Sequence, residues 1–503
     1  MRQRLPDSPQ RPIPKPSSLA QRLLKLIWRL LTNLFKLFRW LALIVIGLLA
    51  LWMIGGNLLA AQQEKRVDQA REQFIQQFPN VEANNSALKL EELSAGLGFG
   101  RWLGTKATQT RYLHLPAPKA DKTSFENIRK DLDRYLDSQL DKPNDEIDAP
   151  PENIRQFLAD HAAVLEAIRT HVLSSELPRW ELGYDINAVG DLPTGLPSYL
   201  SSVNFQKILS VDILDKTRQG QTQAALKTLE VSWKLNQSLL ERSEFIGQLV
   251  VIINSRPQAV VMRKMQGLPT EWQDRIARFN QYDLPQASLR GLYGEAFYSV
   301  SARKYPAIYL FYQFALFEAI DSSSGGSSGG FSVALPQWLS SLFDPLLKPY
   351  VRLSAVDYFD RMRQVVLKLP EQDFCAFNPD EFDKQHGAIG WSIFPSGGWA
   401  GQWRKVGKAV LRFELTQKVL QVKHLAAKQG RLPRQVPGIE SSVCRDGKWF
   451  YQLAPDGTAL ISFSKDLEWM KYRSNPNSPL QYEPGNRLQY SFKPKQSNLT
   501  PVP

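Results

Sequence analysis

Residues 40–63 read WLALIVIGLLALWMIGGNLLAAQQ, twenty-four in a row without a formal charge. At about 1.5 Å of rise per residue, a helix of that length reaches roughly 36 Å, enough to cross the hydrocarbon of a bilayer with some tilt. The flanks orient it. Before Trp40 stand Arg2, Arg4, Arg11, Lys15, Arg22, Lys25, Arg29, Lys36 and Arg39 against the single acid Asp7, whereas Glu64, Lys65, Arg66 and Asp68 beyond Gln63 alternate in sign. Positive flanks stay in the cytoplasm, so the expectation is a cytoplasmic N-terminus and an extracytoplasmic bulk, periplasmic or lumenal. A cleaved signal peptide carries a shorter apolar core and small residues at its cleavage site. The length of 40–63 and the run Leu58-Leu59-Ala60-Ala61 fit an uncleaved signal anchor better.

Outward on the N-terminal side, Arg22, Lys25, Arg29, Lys36 and Arg39 fall within an arc of about 100° on a helical wheel, with Leu and Phe filling much of the rest. The pattern predicts a basic amphipathic juxtamembrane helix over 18–39. Its five cations form a candidate surface for anionic lipid headgroups, each contributing on the order of 1 kcal/mol, unless they serve only to set topology. Residues 1–17, with five prolines from Pro6 to Pro16, are expected to be a disordered tip.

Charge excludes one class of partner. The net charge is +13, but +8 lies before Trp40 and another +8 between Trp403 and Arg434, where nine cations meet only Glu414. Two local concentrations on an otherwise slightly acidic chain, without a nucleic-acid module, do not make a nucleic-acid binder. The basic helix after Trp403 is either a solvated face or a docking face for headgroups or an anionic envelope polymer.

Beyond the anchor the reading is mainly α. Residues 64–104 form a polar helical stalk and an irregular linker, and 105–400 a helical domain with a Ser/Gly loop at 322–330. Residues 401–495 form the basic helix plus a small antiparallel β-meander, and 496–503 a disordered tail. Apolar residues at three and four spacings mark helices over Ser124–Leu140, Glu152–Leu173, Phe205–Arg218, Thr222–Glu241 and Pro285–Arg303. Lys448–Leu453, Asp456-Gly457 and Thr458–Phe463 read as strand, turn, strand. The aromatic run Tyr305–Phe317 is too short to span a bilayer as a helix; with Phe331–Leu347 it suits core helices or an aromatic flap over lipid.

Catalytic chemistry leaves little trace. Gly325-Gly-Ser327-Ser-Gly329 matches GxSxG inside a Ser/Gly tract that offers neither the strand nor the helix of a nucleophile elbow. Ser301-Ala-Arg-Lys304 matches SxxK without its companion triplets. His114, His161, His171, His386 and His424 form no HExxH pair, and His161 suits a core position. No catalytic, cofactor or metal residue is nominated. Cys375 and Cys444, the two cysteines, either form one disulfide in an oxidising compartment or remain separate buried thiols.

Three resemblances qualify this reading. Lys216–Ser232, with Gly220 at a turn and Ala225, Leu229 and Ser232 following, resembles the turn and second helix of a tetratricopeptide repeat, although Asp212, Ile213 and Lys216 depart from that pattern and no second copy follows. The C-terminal helix with its meander resembles the end of bacterial pseudopilins, without their N-terminal signature. The layout resembles uncharacterised single-pass envelope proteins of bacteria, including cyanobacteria. These imply helix hairpins and a membrane-held outer domain. The expected function is a structural or interaction protein that binds an envelope partner or lipid, the alternative an envelope hydrolase or transferase acting on lipid or cell-wall material.

Overall fold

The computed structural model describes residues 19–78, 83–99, 119–180, 199–243, 245–301, 337–386, 399–467, 470 and 488–493. The tip at 1–17, the aromatic run Tyr305–Phe317, the loop 322–330 with its GxSxG match, most of the SxxK match and the tail 496–503 lie outside these. The chain is mainly helical with one small antiparallel sheet.

Helix α1, Leu19–Ile75, is continuous through the basic segment, the apolar run and the expected stalk. No Pro interrupts it. Its last turns are not a free stalk: Val67 and Phe74 are buried, and the Phe74 ring meets Phe78, Tyr293 and Phe297 at 5.1–5.6 Å. The polar residues of 64–78 cover one side, while Val67, Ala70 and Phe74, at helical spacing, seat the other on the core.

The linker also differs from expectation. Asn85–Ala95 is a helix, α2, started by Asn84, whose Oδ1 accepts from the Ala87 amide at 2.9 Å. Such an N-cap satisfies an amide that the first turn leaves without a partner.

Helices α3 (Lys119–Asp141), α4 (Glu152–Asp160) and α5 (Ala162–Ser174) follow. His161 breaks α4 from α5, stacked on Phe157 at 4.1 Å with Nδ1 2.8 Å from the Phe157 carbonyl. Next, α6 (Tyr199–Arg218) and α7 (Thr222–Leu240) form a tightly packed pair turning at Gly220, where φ is 74°. A positive φ suits glycine, which has no Cβ to clash. Ala225, Leu229 and Ser232 are buried along α7. Asp212 is buried too, accepting from Lys216 at 2.6 Å and Thr228 at 2.9 Å, so a polar clasp holds the position that the repeat pattern gives to an aliphatic.

Helix α8, Phe245–Lys264, is apolar enough to cross a membrane but mostly buried, packed against α6, α7 and two later helices. Those are α10 (Leu284–Ser301), entered from α9 (Glu271–Arg278) through a π-helical turn at Phe279–Asp283, and α13 (Trp399–Gln429). Between them lie α11 (Gln337–Lys368) and α12 (Pro379–His386).

The sheet runs β1 (Trp449–Leu453), β2 (Ala459–Phe463), β3 (Gln489–Phe492), antiparallel throughout, with Trp449 opposite Phe463 and Ala459 opposite Phe492. The turn is closed by Gly457 at φ 78° and by Asp456, whose Oδ1 accepts from the Thr458 amide. Trp449, Ile461 and Tyr490 lay one face on Leu415, Val419 and Val422 of α13. The third strand completes a meander of which only two strands were legible in sequence.

Candidate functional site: the anchor helix and its clasp

Helix α1 divides at Trp52. From Leu26 to Leu51 its large apolar side chains lie open to the surroundings, Phe35 and Leu51 at 74% and 73% exposure, and none of its most apolar window is buried. Arg29, Lys36 and Arg39 are exposed on the same helix; Arg22 and Lys25 lie on its helical backbone. So many uncovered leucines and isoleucines mark this length as a candidate membrane anchor or signal sequence.

From Trp52 onward one face is covered by α11. The Trp52 indole donates to the Leu346 carbonyl at 3.0 Å. Gly56 meets Pro349 so closely that a Cβ there would stand 2.8 Å from the proline Cβ. Arg352 then donates to Asn57 Oδ1 at 2.7 Å and forks onto both oxygens of Glu64 at 2.9 and 2.5 Å. Arg66 reaches Asp360 at 2.7 Å. The fork is well buried, Arg352 and Glu64 keeping 18% and 12% side-chain exposure. A bidentate, partly desolvated pair is geometrically specific, and losing one partner strands a charge. Asn57 and Glu64 are thus tied into the body, while Ile54 and Leu58 on the same helix stay exposed.

A second polar cluster fastens the C-terminal part. Asp145 Oδ1 accepts from Lys423 at 2.8 Å and from the Tyr490 hydroxyl at 2.6 Å, while Gln266 donates to Oδ2 at 2.9 Å. Beside it Lys264 donates to the carbonyls of Asn144 and Glu146, and Arg263 to Thr416. Burial pushes Lys264 down to about 8 and Arg263 to about 10, and lowers Lys423. Burial, and then the charge of Asp145, raise Tyr490 well above its ordinary value. Three cations gathered near one carboxylate make a structural knot between α8, α13, the segment 141–148 and β3.

Cys375 and Cys444 are joined in a disulfide across 69 residues, Cα atoms 5.5 Å apart. Asp373 sits beside it, Oδ1 accepting from the Cys375 amide and Oδ2 from the Arg445 amide. The three side chains converge closely enough to suggest metal ligands. A disulfide offers no thiolate, so this cluster as it stands holds no metal.

A buried polar seam links α6, α7 and α8. Gln206 and Ser232 exchange hydrogen bonds, Gln258 donates to Ser232, and Asn236 donates to Gln258. These amides select one register of three helices against slippage. Neither the clasp nor the knot was nominated from sequence, because each joins residues far apart in the chain. The nominated basic residues are all on the N-terminal part of α1, away from the clasp.

The chain matches no protein-family model, and no curated protein or solved structure is significantly similar to it.

Proposed function

We propose that this protein is a single-span membrane-anchored scaffold, its basic N-terminal flank at the cytoplasmic face and its helical domain held on the other side to bind an envelope partner or lipid. The observation that carries the reading is the division of α1 into an apolar length exposed on every side and a length clasped to the domain core. The span is about Trp40–Gly56, roughly 25 Å, bounded by Arg39 on one side and Asn57 on the other. The disulfide fits an oxidising compartment for the domain. Arg22, Lys25, Arg29, Lys36 and Arg39 suit anionic headgroups.

The test is mild-detergent affinity purification of the intact protein from its native membrane, with quantitative mass spectrometry of co-purifying proteins and lipids, against a version lacking residues 1–39. Stoichiometric partner proteins are the expected result. An isolated protein carrying one enriched lipid class moves the reading from scaffold to lipid handling. Release by alkaline carbonate washing overturns the anchor.

A further inference from the structure

Helix α11 runs beside α1 in the same direction and at nearly constant register. Trp52 meets Leu346, Asn57 and Glu64 meet Arg352, and Arg66 meets Asp360, at sequence separations of 294, 295, 288 and 294. Two helices that advance together in this way share a depth coordinate. Leu346 is level with Trp52, four residues short of Gly56, where the span is placed. Everything N-terminal to Leu346 on α11 is therefore level with the bare part of α1, and Gln337, nine residues earlier and about 13 Å along the axis, is level with Leu43.

We infer that the N-terminal part of α11, Gln337–Leu347, is a second membrane contact, lying in the domain-side leaflet alongside α1. This rests on the anchor reading above and adds a lipid-binding element to it. The segment reads QWLSSLFDPLL, with Trp338, Leu339, Leu342, Phe343, Leu346 and Leu347 against one acid, Asp344. Such a composition suits a helix lodged at the boundary of headgroups and acyl chains. Lys348, exposed one residue further on, is placed to reach the headgroup phosphates.

Lipid is the occupant for a positional reason. Leu43, Ile44, Leu48 and Leu51 of α1, at the levels of residues 337–345, are all more than half exposed. Whatever bathes them at that depth also bathes the helix fixed next to them. Water cannot do so if α1 spans. The clasp fixes the depth: the Arg352–Glu64 fork cannot slide along α1 without stranding two charges.

The experiment uses the full chain, whose two cysteines are tied to each other, so an introduced one is the single free thiol among the described residues. Ser340→Cys and Ser341→Cys, about 100° apart on the helix, are labelled with a small environment-sensitive fluorophore in phosphatidylcholine–phosphatidylglycerol liposomes. Ile44→Cys in α1 and Ser174→Cys on the exposed side of α5 serve as references. The expected result is quenching by doxyl-labelled phosphatidylcholine at position 340 or 341 that clearly exceeds that at 174 and approaches that at 44, with weak quenching by iodide. Quenching at 44 but not at 340 or 341 overturns the second contact and leaves the anchor standing. If iodide also fails to reach 340 and 341, a protein surface covers them instead, and the lipid assignment is equally overturned. Absence of lipid quenching at 44 overturns the anchor and this inference together.

Discussion

Arg352 grips both carboxylate oxygens of Glu64, 288 residues earlier in the chain, and donates a further N–H to Asn57. Because the fork is largely desolvated, its two halves are worth more together than apart. Arg352→Met and Glu64→Gln should each lower stability by about 2–4 kcal/mol, and the pair of changes together by clearly less than the sum. Denaturant unfolding of the four proteins in one detergent measures the coupling; additive losses remove the clasp from the account.

Gly56 allows α1 and α11 to touch. A valine there must displace Pro349 or push the helices apart, at a cost of about 1–3 kcal/mol. Gly47, where an added Cβ would meet nothing within 4 Å beyond its own helix backbone, should take the same change with no loss of domain stability. Thermal unfolding of the two variants side by side makes the comparison.

Reduction should soften the C-terminal part. Opening a 69-residue loop returns about 4 kcal/mol of chain entropy to the unfolded state. A thiol reductant should lower the unfolding midpoint of the wild type and leave a Cys375→Ser, Cys444→Ser double variant unchanged. Equal midpoints with and without reductant in the wild type would show that the bond contributes nothing.

Stability should respond to alkaline pH through Lys264. Burial lowers its folded value to about 8 from 10.5, so between those pH values the unfolded chain holds the extra proton and a rise in pH favours the folded state. Relative to Lys264→Met, the wild type should gain on the order of 1–3 kcal/mol across that interval and nothing below it. Tyr490 works in the opposite sense at higher pH but is common to both proteins and cancels. Denaturant midpoints at several pH values decide it; parallel curves refute the buried charge.

The parts legible in sequence are those with local causes. The uncharged run 40–63 announces the exposed apolar length of α1, Gly220 the turn between α6 and α7, and Asp456-Gly457 the hairpin. Helix α2 was missed because its signal is one capping residue, Asn84, before a stretch too short for a clear period. Strand β3 was missed because so short a strand carries little pattern. It is held by Tyr490 on Asp145, 345 residues away, and by the Ser491 amide on the Pro143 carbonyl. The clasp is invisible for the same reason: spacing reports neighbours along one helix, and nothing near Glu64 in sequence announces Arg352.

Helix α1 is unbroken from Leu19 to Ile75, about 85 Å of rod. A body splinted to such a rod cannot swivel on it, so on the proposed anchoring the bearing of the domain is set by the tilt of the span. A change of tilt of about 10°, of the kind a thinner or thicker membrane imposes, carries Ile75 about 6 Å sideways relative to Trp52. Under the proposed anchoring the domain is a bracket, not a ball on a tether, and the thickness of the membrane sets its aim.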